Sequence, residues 1–136
     1  MAHKVMAIIE MGKDGLYSAH SDFEINGYSF GGFGDNAMMA KEDFLSSIKE
    51  AVEMMNEELQ TELSAEDFEV EWSYDIPSLF GCFQYLNISK FALTAGINAS
   101  KMRQYARGIA FPSEKTMDKI AKAIATISKD LATIKF

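Results

Sequence analysis

The spacing of small and apolar residues between Phe91 and Tyr105 constrains the fold more than any other feature of the chain. Ala92 is small enough to let two helices cross closely, and Gly96 can adopt the left-handed backbone conformation that ends a helix. Asn98 follows, with a short polar side chain suited to cap the next helix. Apolar residues would form the joint between the two helices: Phe91, Ala95, Ile97, Met102 and Tyr105. The spacing therefore predicts two short helices joined by a tight turn.

Further helices are predicted on both sides of this pair. Pro77 suits the first turn of a helix that is apolar on most sides and extends to about Leu86. Gly108 should end the second helix of the pair, and another amphipathic helix follows Pro112. Its predicted buried stripe consists of Met117, Ile120, Ala121, Ile124 and Ile127. Residues 76–136 are thus predicted to form an all-α domain.

The first half of the chain has a different periodicity. Four segments show the apolar runs or the alternation typical of strands: Lys4–Glu10, Leu16–His20, Tyr28–Phe33 and Phe68–Tyr74. A turn at residues 12–15 would join the first two strands as a hairpin. Asp35 or Asn36 can cap a long amphipathic helix between the third and fourth strands. Residues 1–75 are therefore predicted to form a β-β-β-α-β domain of the α+β class.

The two halves carry opposite net charge. Residues 1–75 contain 4 Lys or Arg and 17 Asp or Glu, a net charge of −13, whereas residues 76–136 contain 9 and 3, a net charge of +6. A basic surface gains free energy by neutralising phosphates, and an acidic one is repelled by them. The asymmetry predicts that the second half contacts nucleic acid. The alternative interpretation is ordinary solvated surface charge.

Other classes of protein are disfavoured. Cys82 is the single cysteine, so neither an intrachain disulfide nor a cysteine metal cluster can form, and a reducing cytoplasm is expected. No apolar run reaches the roughly 18 residues of a membrane span, and no signal peptide is recognisable. His20, Asp22 and Glu24 lie close in sequence but lack a paired motif such as H-E-x-x-H, so we expect a solvated loop there. We predict no catalytic residues, no metal and no cofactor, and hence that the chain is not an enzyme.

In its second half the sequence resembles the Xre/Cro-type repressor family. The resemblance covers about residues 77–128 and rests on three runs: Ile88–Asn98, Arg107–Gly108 and Pro112–Ile124. It implies a lambda-repressor-like helix-turn-helix domain, whose second helix lies in the major groove of double-stranded DNA.

Specific DNA contacts follow from this resemblance. Lys101, Arg103 and Gln104 would read bases, since Lys and Arg pair with guanine and Gln with adenine. Ser89, Lys90 and Arg107 would contact phosphates. Ser100 could serve either purpose. The full predicted DNA-binding set is Ser89, Lys90, Asn98, Ser100, Lys101, Arg103, Gln104 and Arg107.

The first half, over about residues 4–74, resembles the HicB antitoxin domain in its order of strands and its acidic helix. The resemblance implies an antitoxin of the type II class that blocks a small basic HicA-like RNase toxin and represses its own operon. The acidic helix face either mimics phosphate for that toxin or is simply solvated. It consists of Glu42, Asp43, Glu50, Glu53, Glu57 and Glu58.

A homodimer or higher homo-oligomer is expected, because a single reading helix covers only a few base pairs. The alternative function is an orphan helix-turn-helix regulator whose first domain only dimerises or senses a ligand. A degenerate nuclease-like enzyme is a third interpretation, and it would need the carboxylates near His20 to converge.

Overall fold

The computed structural model describes residues 3–136 and confirms the predicted α+β class, with a β-β-β-α-β region followed by a four-helix region. The elements are β1 (His3–Met11), β2 (Tyr17–Ser21), β3 (Gly31–Gly34), α1 (Ala37–Glu58), a 3-10 turn (Ala65–Asp67), β4 (Phe68–Tyr74), α2 (Ile76–Cys82), α3 (Ile88–Ala95), α4 (Ala99–Ala106) and α5 (Glu114–Leu131). The chain forms two compact units that meet in sequence between Ser78 and Leu79. None of the helices within residues 3–136 is long and apolar enough to cross a membrane.

The first unit is built on a four-stranded mixed sheet of order β3-β2-β1-β4. β1 pairs antiparallel with β2 and parallel with β4, and β2 pairs antiparallel with β3. Alternate residues of β1 point to one face, where Val5, Ala7 and Ile9 are buried. The apolar stripe of α1 completes this core with Ala40, Phe44, Ile48, Ala51, Val52 and Met55. As predicted, Asn36 caps α1, its side chain accepting a hydrogen bond from the Met39 N–H at 2.8 Å.

The third strand begins later than predicted, so the Tyr28–Phe33 boundary is wrong at its start. Asn26 and Gly27 both have positive φ, of 54° and 84°, and turn the chain. Ile25 and Tyr28 then exchange two backbone hydrogen bonds across this turn, at 2.8 and 2.9 Å. The regular ladder with β2 covers Gly31–Gly34, and Phe30 adds a backbone hydrogen bond by accepting the Ser21 N–H at 3.0 Å. Local turn chemistry therefore removes three residues from the predicted strand.

A second contact ties this turn to α1. The Tyr28 hydroxyl donates a short hydrogen bond to the Glu58 carboxylate. That bond, together with burial and the negative charge of Glu58, raises the pKa of Tyr28. The interaction gives one of the acidic helix residues a structural role.

The edge strand β3 lies unusually close to α1 because it is rich in glycine. A Cβ on Gly32 would meet the backbone of Phe44 and lie 2.6 Å from the carbonyl oxygen of Ala40. The contact also satisfies the strand's outer edge: the Gly31 N–H donates to Ser47 Oγ at 3.1 Å and the Phe33 N–H to Asp43 Oδ2 at 2.9 Å. Helix side chains thus occupy backbone donors that an edge strand would otherwise leave open.

This contact gives a stability prediction. Gly32→Ala should lower the free energy of unfolding by about 1–3 kcal/mol, because the added methyl group overpacks a backbone-to-backbone contact. Gly31→Ala is the matched control in the same strand, since the heavy atom nearest to the added Cβ would be the Ala19 carbonyl oxygen, 3.7 Å away. Denaturant unfolding of both variants measures the difference. Equal stability of the two variants would contradict the proposed steric cause.

The second unit has a core between α3, α4 and α5. Phe91 and Ala92 of α3 and Met102 and Tyr105 of α4 are buried, as predicted for the joint between the two helices. The Phe80 ring meets the Phe91 ring edge-on, with centroids 5.4 Å apart. The core is completed from α5 by Ile120 and Ala123.

Two predictions about the flanking helices need correction. The helix expected from Pro77 to Leu86 ends at Cys82, and the chain turns there with a hydrogen bond from the Leu86 N–H to the Phe83 oxygen. On α5, Ile120 is the single member of the predicted buried stripe that is buried. Met117, Ala121 and Ile124 are exposed, and Ile127 is half-buried. The amphipathic stripe is present, but this unit covers only part of it.

Candidate nucleic-acid interface

The two short helices and the tight turn predicted between them are present as α3 and α4, and three local interactions build them. Asn87 caps α3 by accepting the Lys90 N–H at 2.9 Å. Gly96 ends α3 in the left-handed conformation, with φ 71° and ψ 35°, and the Ile97 N–H reaches back to the Ala92 oxygen at 2.9 Å. That pattern is a Schellman motif, which needs a residue without a Cβ penalty at the glycine position.

Asn98 caps α4, as predicted. Its side-chain oxygen accepts the Lys101 N–H at 3.1 Å. The cap fixes where α4 begins and therefore which side chains share a face. Met102 and Tyr105 are buried, at 0% and 6% exposure, and mark the inner face.

The solvent side of α4 carries the side chains predicted to read bases. Ser100, Lys101, Arg103 and Gln104 are all exposed. The helix phase inferred from sequence therefore agrees with the packing of α4. The donors of Lys101 and Arg103 are chemically suited to the edge of guanine, and the amide of Gln104 is suited to the edge of adenine.

One hydrogen bond joins two residues that were predicted to have different roles. The Arg103 Nη1 atom donates to Ser89 Oγ at 3.1 Å. A predicted base reader thus lies beside a predicted phosphate contact in the first turn of α3. Lys101 makes a cation–π contact instead, because its ammonium lies 5.8 Å from the centre of the Tyr105 ring. Both cations are exposed.

The remaining predicted residues flank this centre. Lys90 is exposed in the first turn of α3, and Arg107 is the exposed C-cap of α4. Gly108 follows with φ 73°, which ends the helix as predicted. The loop then presents two apolar side chains that the sequence analysis did not select, Ile109 at 67% and Phe111 at 84% exposure. They lie outside any periodic stripe, so periodicity gave no signal for them.

The charges of the second unit are available to a ligand. All nine of its lysines and arginines are exposed, and within residues 79–136 none of them forms an ion pair with a carboxylate. A cation without a carboxylate partner has no ion pair to break before it binds a polyanion, so it can neutralise a phosphate directly. The positive charge predicted from sequence therefore lies on the surface and is not neutralised by ion pairs within residues 79–136.

The first unit offers no comparable chemical centre in the described part of the chain. His20, Asp22 and Glu24 are exposed on β2 and the loop that follows it. Residues 3–136 contain no group of three or more His, Cys, Asp or Glu side chains that could hold a metal ion.

Comparisons with protein-family models, curated proteins and solved structures found no match to this chain. The resemblances to the Xre/Cro-type repressors and to the HicB domain therefore stay predictions, based on the residues that carry them.

The Asn98 cap gives a prediction about the stability of the second unit. Asn98→Ala should cost about 0.5–2 kcal/mol of unfolding free energy, because the Lys101 N–H loses its acceptor. Asn98→Asp keeps an acceptor at the same place and should retain most of the stability. Thermal unfolding of the two variants measures this. A loss of equal size in both variants would show that the amide is needed for something other than capping.

Proposed function

We propose that this chain is a cytoplasmic, double-stranded-DNA-binding transcriptional repressor with α4 as its reading helix. The observation that carries the proposal is the arrangement of α4. Lys101, Arg103 and Gln104 are exposed on it, and its buried residues anchor it against α3 through the turn at Gly96. An α-helix presented in this way fits the major groove of B-DNA.

The proposed division of labour follows from chemistry. Arg103 and Lys101 would donate to the O6 and N7 atoms of guanine, and Gln104 would pair with adenine. Ser89 and Lys90, at the N-terminus of α3, would contact a phosphate, helped by the free N–H groups and positive dipole of a helix start. Arg107 would hold a second phosphate beyond the end of α4. In this scheme, Ser89 orients Arg103 until a base replaces it as acceptor.

The decisive experiment is a titration of the full chain onto DNA from upstream of its own gene, against a scrambled duplex, at two salt concentrations. We expect selective binding that weakens steeply as salt rises, because neutralised phosphates release counterions. Binding without preference for the upstream DNA at either salt concentration would overturn the repressor proposal.

Substitutions in α3 and α4 test the assignment of base and phosphate contacts. Arg103→Ala and Lys101→Ala should each cost about 1–3 kcal/mol on the operator and relax its specificity. Lys90→Ala should weaken binding to operator and scrambled DNA alike and reduce the salt dependence. Competition binding on both duplexes measures the two effects. If Arg103→Ala and Lys101→Ala left specificity unchanged, the base contacts would lie elsewhere.

We further propose that the first unit binds a small basic RNase toxin, so that the chain is an antitoxin that also represses its own operon. The acidic face of α1 supports this proposal. Asp43 and Glu58 have structural partners in Phe33 and Tyr28. Other carboxylates on α1 are exposed and unpaired within residues 3–136: Glu50, Glu53 and Glu57. Their spacing of three and four residues places them along one side of the helix.

Capture of a basic partner tests the antitoxin proposal. The chain should co-purify with a short basic polypeptide encoded beside its gene. Replacing Glu50, Glu53 and Glu57 together by Gln should weaken capture about tenfold, since three exposed ion pairs contribute about 0.5 kcal/mol each. The matched control replaces Glu62, Glu66 and Glu69, which are also exposed and change the net charge equally.

The result also distinguishes the alternative function. Equal losses in both triple variants would indicate a general charge effect and not a binding face. DNA binding without any such neighbouring polypeptide would favour an orphan regulator, whose first unit serves another purpose.

A further inference from the structure

The second unit contains an open apolar cavity that the proposed base contacts do not use. Its volume is about 200 Å³. Side chains from α2, the loop after it, α3 and α5 line this cavity: Leu79, Phe83, Leu86, Phe91, Ile127 and Leu131. Pockets for drug-sized molecules measure about 300–1,000 Å³, so this cavity suits a smaller ligand with an apolar body.

A more polar cavity adjoins the apolar one. The two cavities share four lining residues, so they are neighbouring parts of one cleft: Tyr85, Leu86, Phe91 and Ile127. The second cavity adds polar side chains from α3 and its cap, namely Asn87, Lys90 and Thr94. The cleft therefore has an apolar end and a polar end.

The polar end offers a positive charge and a hydrogen-bond donor. Lys90 is exposed and forms no ion pair within residues 3–136. The Asn87 side-chain oxygen accepts the Lys90 N–H, which leaves the NH₂ group of Asn87 as a donor. Among the described residues that line the two cavities there is no aspartate or glutamate. An anionic head group would therefore find charge-assisted hydrogen bonds here without a competing carboxylate.

We propose that this cleft binds a small amphipathic carboxylate, of the chemical class of a medium-chain fatty acid. The hydrocarbon chain would fill the apolar end, where its burial supplies most of the binding free energy. The carboxylate would pair with Lys90 and accept a hydrogen bond from Asn87. A single lysine matches the single charge of a carboxylate better than the charge of about −2 of a phosphate monoester.

Occupancy of the cleft would also weaken DNA binding, and this consequence rests on the proposed function. Lys90 is the side chain assigned to a DNA phosphate, so a bound carboxylate would compete with DNA for it. Phosphate contacts carry no sequence information, so the ligand would weaken binding to all sequences alike. The base contacts of α4 would stay as they are.

Isothermal titration calorimetry of the full chain with octanoate, in the absence of DNA, tests the site. We expect octanoate to bind about fivefold more tightly than octanol, because the alcohol has the same chain length but no charge to pair with Lys90. Lys90→Gln should abolish this difference and leave octanol binding unchanged. Equal affinity of the wild-type chain for octanoate and octanol would overturn the assignment of a carboxylate.

A second pair of variants tests where the hydrocarbon chain lies. Ser128 lines the apolar cavity from α5. Ser128→Trp should fill part of that cavity and weaken both ligands about tenfold, because the ligand would overpack it. Thr126→Trp is the matched control at an exposed position of the same helix, outside the lining, and it should bind both ligands as the wild type does. Equal octanoate binding by the two tryptophan variants would overturn the assignment of the cleft.

The DNA titration, repeated with saturating octanoate, tests the regulatory consequence. Octanoate should raise the dissociation constant for operator and scrambled DNA alike. It should also lower the slope of log K against log salt concentration by about one, as the loss of one lysine–phosphate contact does. In Lys90→Gln, octanoate should change neither quantity. The calorimetry needs no DNA, so a chain that binds octanoate but no DNA would refute the repressor proposal and leave the ligand site standing.

Discussion

The close crossing of α3 and α4 is the constraint on which the proposed function depends. Ala92 has no exposed surface. The Schellman turn at Gly96 lets the chain change direction immediately after α3. A larger residue at the crossing would separate the helices, and a residue with a Cβ at Gly96 would be strained at φ 71°. Because Met102 and Tyr105 are held in this joint, the rotation of α4 about its axis is fixed. Fixing that rotation places the polar residues of α4 on the solvent side.

Sequence reasoning was most accurate where a short-range rule determines the structure. The cap at Asn98, the turn at Gly96 and the joint residues Phe91 and Met102 all follow from local chemistry and helix geometry, and the structure has them as predicted. The third strand was less predictable. Its apolar pattern extends back to Tyr28, but the positive φ of Asn26 and Gly27 uses Tyr28 in a turn instead. Periodicity cannot tell a strand residue from a residue paired across a tight turn.

The α5 stripe shows a second limit of periodicity. An amphipathic pattern states that a face avoids water, but it does not state which surface covers that face. Ile120 packs inside its own unit, whereas Ile124, the next residue along the predicted stripe after Ala121, is 39% exposed. Likewise, the acidic pattern of α1 did not reveal that Asp43 supports the β3 backbone. The candidate DNA-binding residues could be selected from sequence, but the tether between Arg103 and Ser89 could not, since it joins residues 14 positions apart.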